Sequence, residues 1–162
     1  VKICYGVFFR ADNIQSNYIT IMPHSDKDTT LQAFTKKDFE NFTELIREKE
    51  NVTQDNWLIG GTSSGGTAAF NYAKYFPDLF AGLVIMPGKL TFDDFPEKWK
   101  DYTIVLALGE RENEDWKEHM KIAETKLKGE VGKLIKVVMK GQPHIVLPSY
   151  DISKLYEPFT GK

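Results

Sequence analysis

Little in this chain invites a cross-link, a metal or a membrane. Its 162 residues include one cysteine, Cys4, so no internal disulfide can form and no thiolate cluster can hold a metal. Cys4 lies in an apolar opening segment, where it reads as a buried structural thiol. No apolar stretch approaches the roughly 20 residues needed to span a bilayer. A basic surplus is missing too. The 21 Lys and Arg against 23 Asp and Glu leave a formal net charge of -2, which gives no electrostatic footprint for nucleic acid or an anionic membrane. Two phosphate-binding patterns are also lacking. The glycines at 60, 61, 65 and 66 do not follow G-x-G-x-x-G, and no Gly-Lys-Ser/Thr comes after them. Acidic residues cluster over 110–115, without neighbouring histidines or the spacing of a calcium loop. No metal and no cofactor is expected.

What remains is an ordinary globular mixture, enough for one core in a single domain over residues 1–162. The chain opens on Val1 rather than methionine, which reads as a trimmed start. A cytoplasmic location is expected, with secretion left open. Asn41-Phe42-Thr43 and Asn51-Val52-Thr53 are formal glycosylation sequons that read as chance occurrences. The oligomeric state is not legible.

Strand-like and helix-like segments alternate, the pattern of a parallel sheet covered by helices. Strands are expected over Lys2 to Phe9, Tyr18 to Met22, Asn56 to Ile59, Phe80 to Met86, Tyr102 to Leu108 and Lys133 to Met139. Thr35 with Asp38 makes a capping box for a helix from Lys36 to Lys49, whose apolar stripe is Phe39, Phe42, Leu45 and Ile46. A second helix runs from Thr67 to Phe76 and stops before Pro77. A third runs from Trp116 to Lys128, with Asp115 and Glu118 as its capping box and Trp116, Met120, Ala123 and Leu127 on one face. A short closing helix is expected over Asp151 to Tyr156. Phe92, Phe95 and Trp99 fall in an irregular connection, where they read either as cover for the sheet or as a short lid.

The stretch that carries chemistry is Gly60-Gly61-Thr62-Ser63-Ser64-Gly65-Gly66. It joins the apolar run Trp57-Leu58-Ile59 to the second helix. Strand, tight glycine turn and helix together push one hydroxyl out of the backbone. Gly61-Thr62-Ser63-Ser64-Gly65 matches G-x-S-x-G, in which the serine sits in a strained turn and larger neighbours would collide with strand and helix. A serine hydroxyl is a weak nucleophile. It needs a base within hydrogen-bond reach and an acid to orient that base. Two later loops offer them: Gly109-Glu110-Arg111-Glu112-Asn113-Glu114-Asp115 after one strand, and Gly141-Gln142-Pro143-His144 after the last.

With these residues, and with Tyr75-Phe76-Pro77-Asp78-Leu79-Phe80-Ala81-Gly82-Leu83-Val84 between them, the stretch from Asp55 to Leu147 resembles the catalytic half of a small esterase or lipase of the α/β-hydrolase family. The resemblance implies a compact three-layer sandwich, a mostly parallel sheet of about six strands with helices on both faces. It implies hydrolysis of a small carboxylic ester, or the same chemistry with another acceptor, as in an acyltransferase or amidase. A catalytically silent binding module on the same fold is the alternative. By resemblance, Ser63 matches the nucleophile, His144 the base and Glu112 the orienting acid, with Glu114 and Asp115 as competitors. One oxyanion donor would be the Ser64 N–H. The other would lie near Phe9, Arg10 or Ala11, where many family members carry His-Gly and this chain has Phe9-Arg10-Ala11-Asp12. Arg10 could instead hold a substrate carboxylate or pair with Asp12. His24 and His119 read as solvated residues, although the His24 loop should open on the same sheet edge.

Overall fold

A computed structural model describes residues 33–51 and 57–159 in full, and Lys2–Tyr5 and Thr20–Ile21 in backbone only. Phe9, Arg10, Ala11, Asp12 and His24 lie outside the described residues. The elements in chain order are β1 (Lys2–Tyr5), β2 (Thr20–Ile21), α1 (Lys36–Glu50), β3 (Trp57–Gly61), α2 (Ser64–Tyr75), β4 (Phe80–Ile85), β5 (Thr103–Gly109), α3 (Glu114–Leu127) and β6 (Lys133–Met139). Short 3₁₀ turns occupy Glu97–Asp101, Ile152–Leu155 and Glu157–Phe159.

The strands lie in the order β2-β1-β3-β4-β5-β6, and every neighbouring pair is parallel. The expectation of about six strands is narrowed: four of them, β3 to β6, make up the sheet whose side chains are described. Gly61 sits opposite Ile85, and Leu106 opposite Lys136. All four therefore present their carboxyl ends at one rim, where ligands of open parallel sheets bind.

Alternate strand residues point to opposite faces and build two cores. Ile59, Leu83, Ile85, Ile104 and Leu106 face the helices, joined by Phe39 and Ile46 of α1, Ala68, Phe70 and Tyr72 of α2, and Met120, Ala123 and Leu127 of α3. Leu58, Val84, Met86, Val105, Ala107 and Met139 face the other way, against Ile152, Leu155 and Tyr156. Both faces thus carry helical cover, but unequally. Among the described residues the three α-helices share one face, and the closing 3₁₀ turns alone provide helical cover on the other.

The local signals explain most boundaries. The Thr35–Asp38 capping box opens α1, and Asn51 closes it in the left-handed region at φ 49°. Leu45, placed in the buried stripe of α1 by its spacing, is instead exposed, and Phe39 and Ile46 are the residues α1 buries. Helix α2 begins at Ser64, three residues before the sequence pattern suggests. Tyr72, inside the helical core, has its phenol pushed up to about 12 by burial, although its bond to Thr43 works against that. Phe92, Phe95 and Trp99 meet one another at 5.6–5.8 Å in tilted and edge-on pairs and pack on the helical core, Trp99 fully buried. They belong to the cover of the sheet's helical face rather than to a lid.

Candidate active site

Ser63 stands between β3 and α2 with φ 55° and ψ -120°, a left-handed residue that is not glycine. Such a conformation costs roughly 1–3 kcal/mol and persists only where the surroundings enforce it. They do so here through the backbone. The Gly65 N–H donates to Thr62 O at 2.8 Å, and the Thr67 N–H donates to Ser63 O at 3.1 Å. The Met86 N–H donates to Gly61 O at 2.8 Å, tying the turn to the end of β4. A Cβ at Gly61 would lie 2.3 Å from the carbonyl carbon and oxygen of Gly65. One at Gly66 would lie 2.2 Å from Pro87 O. Only bare backbone allows strand, turn and helix to approach this closely, and that is why α2 tolerates glycines in its first turn despite their poor helix propensity. Ser63 is half-buried and Ser64 exposed. The first N–H groups of a helix have no intrahelical partner, so the α2 N-terminus offers donors at this point.

The loops after β5 and β6 are bonded to each other. The Arg111 N–H donates to Gln142 O at 3.0 Å, and the Gly141 N–H donates to the Glu110 carboxylate at 2.8 Å. The Leu147 N–H donates to Gln142 Oε1 at 2.9 Å and steadies the segment beyond. Across this joint His144 Nδ1 lies 2.7 Å from Glu112 Oε2. The other carboxylate oxygen, Oε1, accepts the Asn113 N–H at 2.8 Å. The Glu112 side chain has no exposed surface, while that of His144 keeps 30%. An ionised carboxylate can only accept, so a neutral ring bonded to it donates through Nδ1–H, and that tautomer leaves the lone pair on Nε2.

The other acids of this loop, the competitors Glu114 and Asp115 among them, are placed elsewhere. Glu110 holds Gly141, and Glu114 pairs with Lys117 at 2.7 Å in the open. Asp115 is exposed in the first turn of α3. It does not cap the helix as its spacing suggests. Asn113 does, its side chain accepting the Trp116 N–H at 3.1 Å. The same Asn113 donates its backbone N–H to Glu112, so cap and carboxylate share one residue.

The structure brings Glu112 and His144 together. It brings Ser63 to the same rim without a hydrogen bond between its hydroxyl and His144 among the described residues. A run of contacts nevertheless links the two. Thr67 Oγ1 donates to Ser63 O at 3.3 Å and accepts the Lys89 N–H at 3.0 Å. The Lys89 ammonium lies 5.4 Å from the centre of the Trp116 ring, and Trp116 stacks on His144 at 5.2 Å. Trp116 is the residue at this site that the sequence pattern leaves among the core positions of α3. Its place four residues after a candidate acid is the one available signal. His119 is half-buried and meets the Trp116 ring edge-on at 5.7 Å rather than standing free in solvent. Among the described residues no cluster of His, Cys, Asp or Glu could hold a metal ion, and no helix is long and apolar enough to cross a membrane.

No protein-family model and no curated protein sequence matches the chain. Solved structures do. An uncharacterized protein from Bacillus cereus superposes with a TM-score of 0.65 at 18% identity, over 93% of this chain and 56% of that one. Acyl-protein thioesterase 2 from Zea mays gives 0.58 at 13% identity, over 82% of this chain and 67% of that one. SOBER1 from Arabidopsis thaliana gives 0.57 at 19%, over 74% and 59%. The chain thus spans 56% to 67% of the length of these structures. At such identities the likeness establishes a fold.

Proposed function

Because the chain has the α/β-hydrolase fold, we propose that it hydrolyses a small carboxylic ester or thioester through an acyl-enzyme on Ser63. In this reading Ser63 Oγ attacks the carbonyl carbon and its proton passes to His144 Nε2. Glu112 accepts the Nδ1–H bond, holds the tautomer and stabilises the imidazolium. The oxyanion is held by the Ser64 N–H at the positive end of α2. A second donor is expected near Phe9 or Arg10. His144 then gives its proton to the departing alcohol or thiol, and water, deprotonated by the same nitrogen, releases the acid.

The observation that carries the proposal is the buried Glu112 bonded at 2.7 Å to a half-exposed His144, on the rim that also bears the strained Ser63 turn. A surface histidine placed by chance needs no carboxylate stripped of all solvent. Solved structures of the same fold include acyl-protein thioesterase 2, a ferulic acid esterase and a thermostable esterase, which is why ester and thioester stand together here. The test is labelling with a fluorophosphonate and turnover of p-nitrophenyl acetate. We expect an adduct on Ser63, and a loss of roughly 10⁵–10⁶ in kcat for Ser63→Ala.

One observation favours a silent binding module: the Ser63 hydroxyl is not bonded to His144. Catalytic hydrogen bonds in unliganded enzymes are often long and tighten only with substrate. Equal turnover by wild type and Ser63→Ala, with no adduct, would decide for the module.

A further inference from the structure

Resting on the reading of His144 as the base, we propose that Trp116 is a positioning residue that fixes the plane of the His144 ring. The bond from Nδ1 to Glu112 holds one ring nitrogen at 2.7 Å but leaves the ring able to swing about that line. A swing carries Nε2 away from the hydroxyl it must serve, and near-attack geometry does not tolerate such a displacement. The indole supplies the second constraint. Its ring lies 5.2 Å from the imidazole with an interplanar angle of 27°, within the range of offset stacking. One partner therefore grips the ring in its plane and the other lies against its face.

Both constraints issue from one cap. The Asn113 N–H donates to Glu112 Oε1 at 2.8 Å, while Asn113 Oδ1 accepts the Trp116 N–H at 3.1 Å. The start of α3 therefore places carboxylate and indole together. Trp116 is not simply a core residue that stops short. The buried residues of α3 are Met120, Ala123 and Leu127, and Trp116 remains half-buried between polar neighbours. The indole face is also a partner for the imidazolium that forms when His144 takes the serine proton. Lys89, over the same indole at 5.4 Å, is the opposing cation and keeps that preference modest.

The experiment compares wild type, Ser63→Ala, Trp116→Phe and Trp116→Leu with p-nitrophenyl acetate. The His144 Nδ1 proton is followed in each by NMR, assigned through its loss in His144→Gln. For Trp116→Leu we expect kcat to fall about 10–100-fold with KM changed less than about twofold. Trp116→Phe, which keeps a stacking ring, should stay within about threefold of wild type. The Nδ1 proton should stay sharp in wild type and Trp116→Phe and broaden in Trp116→Leu. An unbroadened proton in Trp116→Leu overturns the proposal, as does a change in KM alone or equal damage from Phe and Leu. Should Trp116→Leu not fold, Trp116→Phe carries the test, and a tenfold loss of kcat or a broadened proton there overturns it. If Ser63→Ala keeps full turnover, the reading of the site is wrong. The Nδ1 resonance then still reports, by itself, whether the indole holds the ring.

Discussion

Around Ser63 the chain is held chiefly by backbone against backbone: Gly61 against Gly65, Gly66 against Pro87, and three main-chain hydrogen bonds that close the turn, with the Thr67 hydroxyl as the one side chain that joins them among the described residues. Around His144 it is held by side chains: the Glu112 carboxylate, the Asn113 amide, the Gln142 amide and the Trp116 ring. The difference teaches where each half is vulnerable. A steric arrangement fails when an atom is added. A hydrogen-bonded one fails when the donor–acceptor pattern changes, even at constant shape.

Glu112→Gln breaks the side-chain half hardest. It keeps the volume but can present an N–H to Nδ1, which favours the tautomer with its lone pair on Nδ1 and its proton on Nε2. We expect kcat for p-nitrophenyl acetate to fall on the order of 10⁴-fold, with thermal stability reduced by only a few degrees. A loss in kcat no greater than tenfold would show that this carboxylate does not govern the base.

Gly61→Ala breaks the backbone half. Its methyl would need the space of the Gly65 carbonyl, 2.3 Å away, and neither partner is the end of a flexible side chain. The expected cost is at least about 3 kcal/mol in urea unfolding, with activity lost as the turn gives way. An alanine variant as stable as wild type would mean that strand and helix can separate, so that strain at Ser63 is not enforced by packing.

The backbone half is also the half that is legible in the sequence. Glycine spacing is a local signal, and G-x-S-x-G after an apolar run announces strand, turn and helix together. The first turn of α2 was obscured only because Gly65 and Gly66 lower helix propensity where close approach demands them. Loop order was legible in the same way, since Glu112 and His144 each follow a strand. The preference for Glu112 over Glu114 and Asp115 rests on resemblance alone, and no local pattern in the loop distinguishes Glu112 from these or from Glu110. Burial and the Gly141 bond separate them, and neither has a one-dimensional trace. Trp116 was hidden because the helical stripe that assigns it to the core cannot register a stack against a distant loop. The unequal cover of the sheet was hidden because alternation of strands and helices does not say which face each helix takes.

The mildest test sits inside the turn itself. Thr62 Oγ1 is the one buried side-chain oxygen or nitrogen among the described residues without a hydrogen-bond partner. Leaving such a group unsatisfied costs about 1–3 kcal/mol, much of it recoverable when a methyl of the same shape replaces it. Thr62→Val keeps the β-branched outline, and the backbone contacts that set Ser63 do not use the hydroxyl. We therefore expect a gain of about 1 kcal/mol in urea unfolding with kcat unchanged within about twofold. Because the substitution alters polarity without adding an atom, it separates the two kinds of support. A stability gain with constant activity means that the turn is held without this hydroxyl, by backbone packing and the hydrogen bonds already named. A destabilised Thr62→Val, or one that loses activity, would mean that this hydroxyl does bond within the turn, and that the serine half depends on a second side chain besides Thr67.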